Sequence, residues 1–222
     1  MSKLLVIFII LFIAGCKNSG NKYYTGIVEY TYTYSSDSLN IDSLTAIRPS
    51  KSILRYDTLN YQSEFIATDT IIYYYSGLYN ICLSATKHRD NYECEDYSAF
   101  TDSVISYRLY DTDEKILGYP CKILEVQKKN SWLQYYVSNE LKISPGTYRK
   151  HVSYNWDFYG EKTNGGLILR SEHRFKSFTM HGIATAVNIK PGNFKALEID
   201  EKLFSQFASS TCFLPETVLN ER

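Results

Sequence analysis

Five cysteines and four histidines are the side chains in this sequence best suited to chemistry, and their spacing decides which chemistry that is. Cys16 stands directly after an apolar run, whereas Cys82, Cys94, Cys121 and Cys212 are spread over the rest of the chain. No Cys-x-x-Cys and no pair of histidines at i, i+4 is present, so the spacing of a transition-metal site is missing and no metal is expected. In an oxidising compartment four thiols can form two disulfides, in any of three connectivities. The preferred pairs are Cys82 with Cys94, which could flank one hairpin, and Cys121 with Cys212, although spacing alone does not single them out. His88, His151, His173 and His181 lie in no recognised motif and read as structural or solvated, with His173 and His181 able to meet across a hairpin. Glu93, Glu95 and Asp96 crowd around Cys94 as wet loop carboxylates. Gly-x-Ser-x-Gly, Walker and Gly-x-Gly-x-x-Gly patterns are missing, so the chain reads as non-enzymatic and free of a cofactor.

The first twenty residues, MSKLLVIFIILFIAGCKNSG, give Cys16 a different role. Lys3, the apolar stretch from Leu4 to Ala14 and the small Gly15 have the layout of a secretory signal. That stretch is roughly half the ~20 residues needed to span ~30 Å of hydrocarbon, so a permanent membrane helix is not expected. Ile13-Ala14-Gly15-Cys16 resembles the lipobox of bacterial lipoproteins, which implies cleavage before Cys16, a diacylglycerol on its sulfur and an acyl chain such as palmitate on its amine. Each buried CH₂ is worth ~0.8 kcal/mol, and two or more chains anchor a protein durably. The organisation that follows is a signal peptide (1–15), a lipidated polar tether (16–23) and one domain (24–222). By analogy with envelope sorting rules, the missing Asp after Cys16 places the anchor in the outer membrane of a Gram-negative envelope. The missing acidic cluster turns the domain towards the periplasm.

Lys+Arg 24 balances Asp+Glu 24 in 222 residues, which leaves no basic footprint for nucleic acid. The 21 tyrosines and 11 phenylalanines favour half-buried pleated surfaces, and a mainly β chain is expected. In GIVEYTYTY, Val28, Tyr30, Tyr32 and Tyr34 alternate with Glu29, Thr31 and Thr33, the period of a strand with one wet side. Short strands are also expected around Ile53 to Asp57 and Tyr61 to Ala67. TIIYYYSGLYNICLS is apolar on both sides and reads as a central strand bent at Gly77. VISYRLYD puts Ile105, Tyr107 and Leu109 on one side; CKILEVQ and SWLQYYVS follow, joined at Lys128-Lys129-Asn130. An irregular stretch from Pro145 to Asn164 holds His151, Trp156, Asp157 and Tyr159, before GGLILRSEHRFKSF and GIATAVNI resume strand character. The one helix of note is FKALEIDEKLFSQF, behind an Asp200 cap. Short connections between successive strands imply antiparallel pairing.

The segments KILGYPCKILEV, SWLQYYVSNELKISP and TNGGLIL resemble Bacteroidota envelope proteins named for a Gly-Leu-Pro-Gly-Leu-Ile (GLPGLI) signature, and relatives with a Gly-Tyr-x-Cys turn and a Tyr-Tyr-x-Ser strand. The residues in question are Gly118, Tyr119, Cys121, Tyr135, Tyr136 and Ser138; Gly166-Leu167-Ile168 keeps half of the signature, while Thr163-Asn164-Gly165 departs from it. The resemblance covers Val104 to Phe204 and the strand at Gly26 to Tyr30. It implies the LolA- and LolB-like fold of the periplasmic lipoprotein carrier and its receptor: a strongly curved antiparallel sheet, an open half-barrel, with one or two short helices over an apolar hollow. A concave face lined by Tyr, Phe, Ile and Leu suits an alkyl chain, at ~25 cal/mol per Å² buried. Tyr30, Tyr32, Tyr74, Tyr107 and Tyr135 are the candidate ligand face. The expected function is non-catalytic binding of a lipid or a lipidated protein by a membrane-anchored periplasmic lipoprotein. The alternative is an assembly lipoprotein that docks on another envelope protein by its sheet or edge strand and binds no small ligand.

Overall fold

Alternation of apolar and polar residues recurs along the chain, and each alternating run is a strand in the computed structural model, which describes residues 23–87, 91–99, 102–207 and 212–213. The signal stretch, Cys16 and His88 lie outside the described residues. Eleven strands form one sheet: β1 (Gly26–Ser35), β2 (Lys51–Tyr56), β3 (Asn60–Ile66), β4 (Thr70–Ser76), β5 (Ile81–Thr86), β6 (Glu93–Asp96), β7 (Val104–Ile116), β8 (Tyr119–Lys128), β9 (Trp132–Lys142), β10 (Gly166–Arg174) and β11 (Thr179–Ile189). Their order is β6-β5-β4-β3-β2-β1-β11-β10-β9-β8-β7, with antiparallel neighbours throughout. The sheet is curved and stays open, because β6 and β7 at its two edges do not pair with one another.

Period two sorts the side chains onto two faces. The inner face carries Val28 and Tyr30 of β1, Tyr56, Tyr61 and Tyr75 of β2 to β4, Leu124 and Val126 of β8, and Leu133 and Val137 of β9, which form one buried cluster. The outer face of β4 to β6 carries Ile72, Tyr74, Leu83 and Cys94, buried beneath Phe204 and flanked by Leu197, Ile199 and Phe207 of the C-terminal segment. β1 bridges the halves through a register shift between Glu29 and Tyr30, so that Val28 faces Val187 while Tyr30 faces Ala184. The extra residue, Thr185 of β11, lets Ala184 and Val187 both face inwards opposite Tyr30 and Val28.

Several local expectations change. TIIYYYSGLYNICLS is a hairpin, β4 and β5, turning through residues 77–80, and it lies near one edge of the sheet. It is nevertheless covered on both faces, inwardly by the aromatic cluster and outwardly by the C-terminal segment, which explains its unbroken apolar character. The segment around Asp200 makes a short 3₁₀ turn, Glu201–Gln206, with Asp200 accepting a hydrogen bond from the Lys202 amide. Two helices arise where the chain reads as loop: α1 (Ile41–Ile47), capped by the Asn40 side chain, and α2 (Trp156–Thr163). Among the described residues no helix is long and apolar enough to cross a membrane.

The disulfide expectation also changes. Cys94 bonds to Cys212, while Cys82 and Cys121 are buried free thiols. In the β5–β6 pair Leu83, not Cys82, stands opposite Cys94. Cys82 therefore points to the inner face and Cys94 to the outer, and no disulfide can join side chains on opposite faces of a sheet.

The end of α2 depends on backbone freedom. Asn164 and Gly165 both take positive φ, at 51° and 72°, and a Cβ on Gly165 would collide with the carbonyl oxygen of Ile143. Gly165 also donates to the Gly160 carbonyl and accepts from the Ile143 amide, at 2.9 Å each, tying the helix to the end of β9. Gly165→Ala is expected to lower stability by about 1–3 kcal/mol, read as an earlier urea midpoint with an unchanged slope. An unchanged midpoint would mean that this junction is slack.

Candidate functional site: the inner face of the half-barrel

Residues 143–165 run back from β9 across the inner face. They bring Tyr148, His151, Trp156 and Tyr159 down onto the sheet tyrosines. His151 is completely buried, and its Nε2 lies 2.9 Å from the hydroxyl of Tyr61. Its ring packs against Tyr97 at 4.4 Å, Tyr75 at 4.7 Å and Trp156 at 5.6 Å. Burial among these rings opposes a positive charge and pushes the imidazole pKa down to about 3, against an ordinary 6.5. The same loss of water pushes the phenols of Tyr61, Tyr97 and Tyr148 well above their usual range. These are therefore neutral groups in an apolar plug, and that part of the hollow is filled.

Towards β7 the cover gives out. Tyr107 meets Phe158 of α2 edge-on at 5.2 Å, and Lys162 lies 5.3 Å above the Tyr107 ring. Tyr107 and Leu109, alternate residues of β7, form an exposed ladder, at 46% and 39%, and a bulge between Val104 and Ser106 takes Ile105 out of step, so that Val104 continues the inner face. The ladder is continuous with the buried Leu124 and Val126, since Leu109 pairs with Leu124 and Tyr107 with Val126. At one end of this region Lys128 and Asp102 form a buried ion pair at 3.9 Å. His173, half-buried against Tyr135 at 5.4 Å, has its pKa pushed down to about 3 by burial and then by the Lys128 charge.

Four of the five candidate tyrosines share this face. Tyr30 is buried and donates to the Ile168 carbonyl at 2.6 Å. Tyr32 is half-buried, its hydroxyl 2.8 Å from that of Ser52. Tyr135 packs edge-on against Tyr159 at 5.8 Å, and Tyr107 is exposed. Tyr74 is the exception. It belongs to the outer face, against Tyr92 and beneath the C-terminal segment, because an odd-even offset separates it from Tyr73 and Tyr75. The histidine plug was not legible as a site, although Tyr148, Tyr154 and Trp156 beside His151 are a local aromatic signal. Leu109 was legible as an alternate neighbour of Tyr107, whereas Ile105, expected on the same side, falls at a bulge in β7 and Val104 takes its place.

His173 and His181 do not meet. His173 pairs with Met180, whereas His181 pairs with Glu172 on the outer face, its Nδ1 3.6 Å from that carboxylate. Among the described residues no group of three or more His, Cys, Asp or Glu side chains is placed to hold a metal ion. The outer face carries a shallow depression of about 440 Å³ lined by Thr31, Thr33, Gln134, Arg170 and His181. Arg170 lies flat over Tyr136 at 3.6 Å there and pairs with Glu114, so charged side chains border the depression.

The architecture is thus an open antiparallel half-barrel with a helical insert laid into its hollow. No family model matches the chain, and no curated protein matches it. Among solved structures, PNGF-II in two crystal forms is similar over 87% and 86% of this chain, with TM-scores of 0.44 and 0.40 and identities of 14% and 16%. The match takes up 31% and 32% of PNGF-II, so this chain spans about a third of that protein's length. LprF from Mycobacterium bovis is similar over 78% of this chain and 90% of its own, with a TM-score of 0.34 and 6% identity. Likenesses at such TM-scores carry no argument, and function has to be argued from the chain's own side chains.

Proposed function

We propose that this chain is a lipid-anchored envelope protein that holds an apolar chain, from a lipid or a lipidated partner, against the inner face beside β7. The observation that carries the reading is the exposed pair Tyr107 and Leu109, which with half-buried Val104 extends the buried inner-face cluster into solvent. Fully burying a side chain of this size is worth about 1.5–3 kcal/mol, so an alkyl chain that covers what is still exposed of both gains a few kcal/mol before its ordering cost. Lys162, above Tyr107 and Phe158, would meet the polar end of such a ligand. The tyrosine rings shed water while their hydroxyls keep a partner at the rim. Residues 1–15 act as the signal peptide, Cys16 carries the acyl groups and residues 16–23 form the tether, in the outer membrane facing the periplasm. The partial GLPGLI signature and the curved open sheet support this reading without naming the ligand.

Native mass spectrometry of detergent-free protein is expected to show bound lipid, and a fluorescent acyl probe to gain intensity on binding. Leu109→Glu should weaken the probe at least about tenfold, the effect of ~1.4 kcal/mol, with no change in thermal midpoint because the position faces solvent. A clean apo mass together with a silent probe would remove the reading. Growth on labelled palmitate should label the wild-type protein and leave Cys16→Ser unlabelled.

A second reading has its own observation. β7 is a thirteen-residue edge strand, exposed along most of its length, whose outer edge pairs with no other strand among the described residues. Recovery of a partner protein without lipid, lost on Leu109→Pro but kept in Leu109→Glu, would favour docking over lipid binding.

A further inference from the structure

We propose that the rim of the half-barrel nearest the N-terminus is seated on the bilayer, with the tips of its turns inserted among the lipid headgroups. The inference rests on Cys16 being the anchor.

The antiparallel order puts the start of β1, the end of β11 and the turns β2–β3, β4–β5 and β7–β8 on one rim. Tyr24 is fixed to that rim by its amide, which donates to the Lys142 carbonyl at the end of β9. Eight residues separate Cys16 from Tyr24, a reach of at most about 29 Å even when fully extended. β9, with eleven residues, is about 36 Å long, so the opposite rim lies a whole strand length further from the anchor.

The near rim is furnished for such contact. Leu59 in the β2–β3 turn, Leu78 in the β4–β5 turn and Leu117 in the β7–β8 turn are all exposed, Leu78 at 64%, and Ile189 at the end of β11 is 61% exposed. On the far rim the hairpin connections read Ala67-Thr68-Asp69, Lys129-Asn130-Ser131 and Phe175-Lys176-Ser177-Phe178, and Ile47 is as exposed as Leu78, so it is the short tether together with the apolar turn tips that selects the near rim. Leu117 is the most telling. With Gly118 it forms a two-residue turn in which both residues have positive φ, at 53° and 84°. Asn or Gly suits that first position and a bulky side chain is disfavoured there, so an exposed leucine is held against its local backbone preference. Lys115 and Lys190 share the rim with Asp57 and Glu140, so the contact is apolar rather than electrostatic and a zwitterionic surface suffices.

The test uses the full chain, expressed with its leader, purified from membranes and returned to phosphatidylcholine vesicles. Leu117→Trp and Leu78→Trp are compared with Ile47→Trp on α1 at the far rim, each corrected for the native Trp132 and Trp156. Brominated lipid should quench the two near-rim variants about twofold or more, as expected for side chains at headgroup depth, and leave Ile47→Trp unchanged. If the parent protein does not float with the vesicles, the anchor falls and this inference with it. If the parent floats while Leu117→Trp and Leu78→Trp stay unquenched, or if Ile47→Trp is quenched in their place, only the seated rim is overturned. Should Leu117→Trp fail to fold, Leu78→Trp carries the result, since its turn position has no positive φ to satisfy.

Discussion

Acidification from pH 7 to pH 4 is expected to remove about 3 kcal/mol of stability through His151 alone. The sign follows from the two states. In the folded protein the imidazole sits among Tyr61, Tyr75, Tyr97 and Trp156 with its pKa at about 3, whereas in the unfolded chain it titrates near 6.5. Between those values only the unfolded state takes up the proton, so stability declines as pH falls below 6.5 and levels off near 3. His173 acts in the same direction, but its half-exposed ring is partly screened by solvent. Urea midpoints at pH 7, 5.5 and 4 measure the slope, and His151→Phe should flatten it at the smaller cost of leaving the Tyr61 hydroxyl without its hydrogen-bond partner. A His151 resonance titrating near 6.5 in the native protein would contradict the buried plug.

Breaking the Cys94–Cys212 disulfide should have an effect of similar size. It closes a separation of 118 residues and fastens the C-terminal segment over Ile72, Tyr74 and Leu83. Loss of such a crosslink costs about 2–5 kcal/mol, which for a domain of this length is a fall of roughly 5–15 °C in Tm. Cys94→Ala, Cys212→Ala and reduction of the wild-type protein should all shift the melt by the same amount. Cys121→Ala should shift it much less, because it deletes one buried thiol and no crosslink. A non-reducing peptide map linking Cys82 to Cys94, or a melt indifferent to reductant, would refute the pairing.

The two effects act on opposite faces of the sheet. Acid loosens the insert that fills the hollow, and reduction frees the segment that backs β4 to β6. If the proposed apolar ligand sits beside β7, acid should change its binding more than reduction does, since the β7 ladder borders the insert through Tyr107 and Phe158.

Much of this architecture could be read from residue order because a strand's faces are set by parity. Val28, Tyr30 and Tyr32 had to share a side, as did Tyr107 and Leu109, and the short turns between runs required antiparallel neighbours, whereas the bulge that takes Ile105 out of step leaves no mark in the alternation. A mainly β chain with an aromatic inner face follows from those local rules. Parity within one run does not say which side of a later run faces the same way, since that depends on turn geometry and pairing register. Tyr74 was therefore placed on the wrong face and Cys82 matched with the wrong partner. The helical insert was hidden for another reason: Tyr148, His151, Trp156 and Tyr159 have no clean period of their own and are held by contacts with tyrosines as far as Tyr61, ninety positions from His151 and further from Trp156. Local preference wrote the strands, and long-range packing chose what fills the hollow, which face the C-terminal segment covers and where apolar surface is left open.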